Sequence, residues 1–213
     1  PSATVWKDLS PSGNDAEITV VNGGGEWLDD GYMFKRNKDT TSPTAYAYGT
    51  LAAVQDLGRE FTVQIVASDV VTNIVDGLYP CFFGAEDGDT CNIYQMHGRN
   101  QIHFKADGVT GLNVNTRTRI TQWGGHYVNA ALGGGWQVVT ESTAFDSWVG
   151  QNAATEVGPQ RWMFGAAGVD AGNCAKRALR GAIKSIRVYN RVLTDEELAA
   201  NRAVDEMRFP PRP

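Results

Sequence analysis

Cysteine and histidine are scarce in this 213-residue sequence, at three each. His97, His103 and His126 are too scattered along the chain to read as a zinc site. Cys174 has no mate evident from spacing. No apolar run approaches the ~18 residues that a bilayer crossing needs, so no membrane insertion is expected. Basic residues are outnumbered 19 to 24 by acidic ones, and a net charge of −5 argues against nucleic acid or an anionic membrane surface as partner. No linker, repeat or low-complexity segment splits the chain. The N-terminus shows no signal-peptide pattern of basic start, apolar stretch and small-residue cleavage site, so location is not readable there.

What is present fits an all-β protein with a sizeable core, expected as one unit over 1–213. Hydrophobic residues make up 42% and charged residues 20%, and 24 glycines against 8 prolines suit many tight turns. Thr4 to Leu9, Glu17 to Val21 and Ala45 to Ala53 read as strands, and Trp27 to Phe34 surrounds an Asp29-Asp30-Gly31 turn. Glu60 to Ser68 alternates most cleanly, with Phe61, Val63, Ile65 and Ala67 on one face and Thr62, Gln64 and Val66 on the other. Leu78 to Gly84, Cys91 to Met96 and Gln101 to Lys105 read as a meander, and Leu112 to Ile120 as another strand. Residues 122–150 are glycine-rich and give no clear period. Arg161 to Gly165 is a further strand before a loop over 168–173.

The C-terminal stretch RGAIKSIRVYNRVLTDEELAANRAVDEMRF is the most legible. Ile186 and Val188 alternate with Arg187 and Tyr189, as on a half-buried strand. Lys184 would share the face of Ile186, which implies either a bulge near it or burial only from Ser185 onward. Thr194 and Glu197 form a capping box, and Leu193 and Leu198 are spaced as a hydrophobic staple. Ala200, Ala203, Val204 and Met207 then give one narrow apolar stripe, expected to seat the helix on the outside of something larger.

The pattern G-x-I-x-x-I-R-V-Y-N-R-x-L-T-x-E-E over Gly181 to Glu197 resembles the close of the laminin-G-like, concanavalin A-like lectin/glucanase jelly-roll superfamily. The opening WKDLSPSGNDAEI, with Trp6, Asp8, Leu9, Ser10, Gly13, Asn14 and Asp15, is similar to the first strand and turn of the same family. The resemblance implies a two-sheet antiparallel jelly-roll sandwich, concanavalin A-like, with a short C-terminal helix and terminal strands that meet. It implies a non-catalytic carbohydrate-binding or adhesion module of a surface, secreted or virion protein, whose partner is a glycan or host surface molecule. A structural or assembly domain, with a protein partner or a homo-oligomer, is the second expectation. A polysaccharide lyase or glycoside hydrolase is the third.

Catalysis has little to stand on. Glycosidases need two carboxylates flanking the scissile bond, and the strands carry no such pair. Gln101-Ile102-His103 looks like a strand motif of the jelly-roll alginate lyases, but the Arg-x-Glu and Tyr-x-Lys-x-Gly-x-Tyr strands of those enzymes are missing. No catalytic residue is therefore assigned. Sugar binding needs aromatic faces beside hydrogen-bonding groups. Trp123, His126 and Tyr127 offer these around Gly124 and Gly125, and Trp136 follows a triple glycine; Trp6 and Trp162, inside strand patterns, read as core. Members of the resembled family often bind calcium at the rim through loop oxygens. Glu86, Asp87 and Asp89 are the densest such acids, with Asp29-Asp30 and Asp170 plus Asn173 as alternatives. Cys81 and Cys91 flank a turn about Ala85 to Asp89, which leaves two readings open: a cross-strand disulfide or two buried thiols.

Overall fold

A computed structural model of the chain describes residues 4–37, 43–56, 61–69, 80–86, 91–96, 99–106, 109–116, 126–132, 136–140, 159–191 and 193–209, with the strands between 91 and 140 followed along their backbone. The first half holds β1 (Val5–Trp6), β2 (Ala16–Val21), β3 (Gly25–Leu28), β4 (Gly31–Lys35), β5 (Tyr46–Leu51), β6 (Phe61–Ser68), β7 (Cys81–Ala85) and β8 (Cys91–Met96). The second half holds β9 (Arg99–Ala106), β10 (Val109–Thr116), β11 (His126–Leu132), β12 (Trp136–Thr140), β13 (Trp162–Phe164), α1 (Ala171–Arg177), β14 (Arg180–Tyr189) and α2 (Asp195–Arg208). They form an eight-stranded sheet, β1-β2-β5-β13-β7-β8-β9-β10, and a six-stranded sheet, β12-β11-β6-β14-β4-β3. The pairings are antiparallel, so the architecture is an all-β two-sheet sandwich with a C-terminal helix.

The core lies between the sheets and is built by alternation. Ile65 and Ala67 of β6 face inward with Tyr32 and Phe34 of β4, Ile18 of β2, Phe83 of β7, Phe164 of β13 and Ile183 of β14. Trp162 stacks on Phe83 at 5.0 Å between ring centroids, and both are buried. Burial of each such ring contributes about 2–3 kcal/mol. Within the eight-stranded sheet the Phe164 ring lies against Gly49, its partner on β5, and needs glycine there: an added Cβ would stand 2.1 Å from the ring.

β14 carries the bulge. Its pairing with β6 shifts by one residue between Ile183 and Ser185, so Lys184 is the extra residue. Ile183 belongs to the core and Ile186 and Val188 pack against it. Lys184 leaves that face: its ammonium pairs with Asp30 at 2.5 Å and lies 5.6 Å from the Phe209 ring centroid. Only 1% of the Lys184 side chain is exposed. The β3–β4 turn reaches the bulge because Gly31 has no Cβ; one would lie 2.5 Å from the Ile183 carbonyl oxygen.

The C-terminal helix begins as its sequence dictates. Thr194 Oγ1 accepts from the Glu197 amide and the Glu197 carboxylate accepts from the Thr194 amide, at 3.3 and 2.9 Å. It lies on the outside of the sandwich, as expected, but is not seated by its apolar stripe. Ala200, Ala203, Val204 and Met207 are exposed, Met207 by 76%. The docked side is Asn201, Asp205 and the C-cap Phe209 instead. Asp205 takes both arms of Arg187 at 2.5 Å, and Asn201 donates to Gln64 Oε1 and Tyr189 Oη at 2.5 and 3.0 Å. β6 and β14 present Gln64, Arg187 and Tyr189 on their outer face, so polar pairing fixes which side of the helix turns inward. Phe209 supplies the apolar contact, against Val66.

Two further expectations change. The loop over 168–173 contains the start of α1, capped by Asp170, whose carboxylate accepts from the Asn173 amide and side chain at 2.8 and 2.9 Å. This employs the Asp170 and Asn173 pair as a helix cap. In the β7–β8 hairpin, Cys81 stands opposite Tyr94, while the ladder from Phe83–Ile93 to Gly84–Asn92 runs on toward Cys91. The two cysteines are thus offset by several rungs, about 10 Å at ~3.3 Å per residue, beyond the span of a disulfide. Cys81 is a buried thiol.

Candidate functional site

The N-terminal turn is organised by two carboxylates. Asp8 accepts from the Ser10 amide (2.8 Å), Ser10 Oγ (2.9 Å), Ser12 Oγ (2.9 Å) and the Asn14 amide (2.7 Å). Asp15 accepts from the Asp8 amide at 3.0 Å and from Lys7 Nζ at 2.5 Å. Asn14 Oδ1 accepts from the Ala53 amide at 2.8 Å, which ties the turn to the chain after β5. A Ser-Pro-Ser-Gly-Asn run between two aspartates folds this way because short polar side chains bond their own backbone. Burial pushes the Asp8 carboxyl up, but bonds from Ser10, Asn14 and Ser12 outweigh it and hold the group below its ordinary range. The Lys7 contact, then the Asp8 amide, does the same for Asp15.

This turn forms one lip of a cleft of about 420 Å³, of the size that takes small ligands. Trp6, Leu51, Phe83, Phe164, Ile186 and Val188 give its apolar lining. Lys7, Ser12, Gln55, Tyr189 and Arg208 are among its polar groups. Trp6 is fixed edge-on to Phe164 at 5.2 Å and tilted against Trp27 at 5.5 Å, so its ring is a rigid wall. β4 pairs with β14 only over Arg180 to Ile183. Beyond that point Lys184 to Tyr189 all line the cleft. The cleft therefore opens where β4 stops and β14 runs on. Leu9, 86% exposed, stands at the mouth.

Of the residues expected from sequence to bind sugar, His126, Tyr127 and Trp136 do not line this cleft. Trp123 is outside the described residues. His126 and Tyr127 occupy β11 opposite Ala67 and Val66, and Trp136 begins β12 opposite Leu132, at the other end of that hairpin. Six ladder positions separate His126 from Trp136, about 20 Å along the hairpin. Gln101 and His103 sit mid-sheet on β9, opposite Tyr94 and Asn92 of β8. Of the acidic loop, Asp87 and Asp89 are outside the described residues, and the Glu86 carboxylate faces Arg161 Nε at 3.8 Å. That cation competes with any metal there. Asp30 is engaged by Lys184. Among the described residues no group of three or more His, Cys, Asp or Glu could hold a metal ion.

The cleft was missed because each of its walls has a full structural explanation when read alone. Its signal was nonetheless present. The stretches that carried the fold resemblance, WKDLSPSGNDA and KSIRVY, are the ones that face each other across it.

No family model matches the chain, and no curated protein matches it. Solved structures do. A Trypanosoma rangeli sialidase in complex with sialic acid is similar over 99% of this chain and 32% of its own, at 12% identity and TM-score 0.62. A structure of botulinum neurotoxin type C, whose cell entry depends on two ganglioside molecules, is similar over 94% of this chain and 44% of its own, at 7% identity and TM-score 0.55. The binding domain of botulinum neurotoxin DC, in complex with rat synaptotagmin II, covers 91% and 48%, at 10% identity and TM-score 0.57. The chain thus spans about a third to a half of these structures. At such identities the likeness shows the sandwich fold alone.

Proposed function

We propose that this chain is a non-catalytic carbohydrate-binding module of the laminin-G-like, concanavalin A-like kind, carried by a surface, secreted or virion protein. The observation that carries the reading is the cleft: a rigid Trp6 wall and apolar floor beside hydroxyl, amide and guanidinium groups, which suits a pyranose with its apolar C–H patch and polar rim. The sialic acid and gangliosides named for two structures of similar fold support the reading at the level of ligand class. A second reading, an assembly domain, is favoured by the outward apolar stripe of α2.

A glycan array probed with and without a calcium chelator tests both. Binding of a defined sugar class, lost in Gln55→Ala combined with Leu9→Ser but kept in Trp123→Ala, places the site in the cleft. The reverse pattern moves the site to the Trp123 loop and overturns the cleft. Sensitivity to chelator would add a calcium ion, for which Glu86, Asp87 and Asp89 are the proposed ligands. No binding by folded protein in either condition leaves the assembly reading.

A further inference from the structure

We propose that the cleft selects glycans bearing an acidic group, carboxylate or sulfate, and that Arg208 is the side chain that reads it. The inference rests on the cleft being the glycan site and is carried by the disposition of charge around it. Four cationic residues line the cleft: Lys7, Lys184, Arg187 and Arg208. Three are already matched to carboxylates within the fold. Lys7 pairs with Asp15, Lys184 with Asp30, and Arg187 with both oxygens of Asp205. Lys184 is in addition buried. Arg208 is exposed, and among the described residues no carboxylate pairs with it.

Its position is nevertheless fixed. Arg208 ends α2, and its guanidinium carbon lies 5.1 Å from the centroid of the Phe209 ring. Phe209 is buried against Val66 and cannot swing away with it. A guanidinium held over an aromatic face keeps its in-plane N–H donors available, and those donors match the two oxygens of a carboxylate or sulfate. Lys184 approaches the same ring, at 5.6 Å. The protein as a whole carries −5 and gives no long-range pull on an anionic ligand. Preference for acid must come from this local contact.

The test is an array, followed by titration calorimetry, of matched glycan pairs: uronate oligosaccharides and their methyl esters, sialylated chains and their carboxyl-reduced forms, sulfated chains and their desulfated forms. The native chain should bind the acidic member of a pair roughly tenfold more tightly. Arg208→Gln should erase that preference, so that the two members of a pair bind alike, and Arg208→Lys should restore part of it. The uronate and sulfate arms identify which acid is read. Equal binding of both members by the native chain, or a preference that survives Arg208→Gln, overturns the inference and leaves the cleft as a glycan site. No binding to any pair by folded protein removes the glycan reading, and this inference with it.

Discussion

Asp205 shows how much one side chain carries here. It is 1% exposed on the docked side of α2, and it meets the Arg187 guanidinium with both oxygens. Asp205→Ala removes the carboxylate that holds both arms of a largely buried guanidinium, a change that costs about 3 kcal/mol. Replacing both partners, as Arg187→Met with Asp205→Leu, should recover most of that loss, since what is lost in the single variant is mainly compensation of a buried charge. Urea titrations of the single and double variants separate the two. Gly49→Ala is a second residue-scale test. Its new methyl meets the Phe164 ring, and overpacking of that kind costs about 1–3 kcal/mol. Thermal melts should show a lower midpoint in Gly49→Ala, whereas Met207→Ser, at an exposed position, should stay within about 0.5 kcal/mol of the native chain.

Among the elements, α2 responds most directly to pH. The Arg191 side chain, then the Thr194 amide, holds the Glu197 carboxyl down from an ordinary 4.5 to about 2. A depressed carboxylate stabilises the fold fully above its ordinary value and loses that contribution as pH falls from about 4.5 toward 2. Helicity followed by circular dichroism across this range should drop in the native chain and change less in Glu197→Gln. The start of α2 was legible because capping is local chemistry, complete within four residues. Its docked face was not, because an apolar stripe in the sequence does not say which side a polar outer sheet will accept. β6 and β14 were readable from alternation with inward Ile65, Ala67, Ile186 and Val188. α1 was hidden by a Gly168-to-Asn173 run that reads as loop until Asp170 is recognised as a cap.

For the molecule as a whole, the fold was readable and the cleft was not. Alternation, turns and the two terminal stretches suffice for a two-sheet sandwich, because burial of one strand face is a local periodic demand. The cleft comes from residues far apart in sequence, such as Trp6, Gln55, Ile186 and Arg208, and from the place where β4 stops short of β14. No local pattern encodes that distance. Glycine-flanked tryptophans drew attention to 123–136, yet the backbone sets His126 and Trp136 at opposite ends of one hairpin. If the cleft is the site, a bound oligosaccharide should quench tryptophan fluorescence in the native chain and in Trp123→Phe alike. Quenching abolished in Trp123→Phe would return the site to that loop.

The bulge at Lys184 has a consequence for the chain with one residue fewer. Remove Lys184, and Ile183, Ser185, Ile186, Arg187 and Val188 still alternate in, out, in, out, in against the same partners on β6. The sandwich does not need the insertion. What the insertion holds is a three-way tether, joining the β3–β4 turn through Asp30 and the end of α2 through Phe209 to the strand between them. A Lys184 deletion should therefore melt as one cooperative sandwich while the amides of the last helical turn exchange with solvent faster. In that chain the Phe209 ring that carries Arg208 would lose one of its contacts, so, if the cleft is the glycan site, the deletion should blur ligand choice before it weakens the fold.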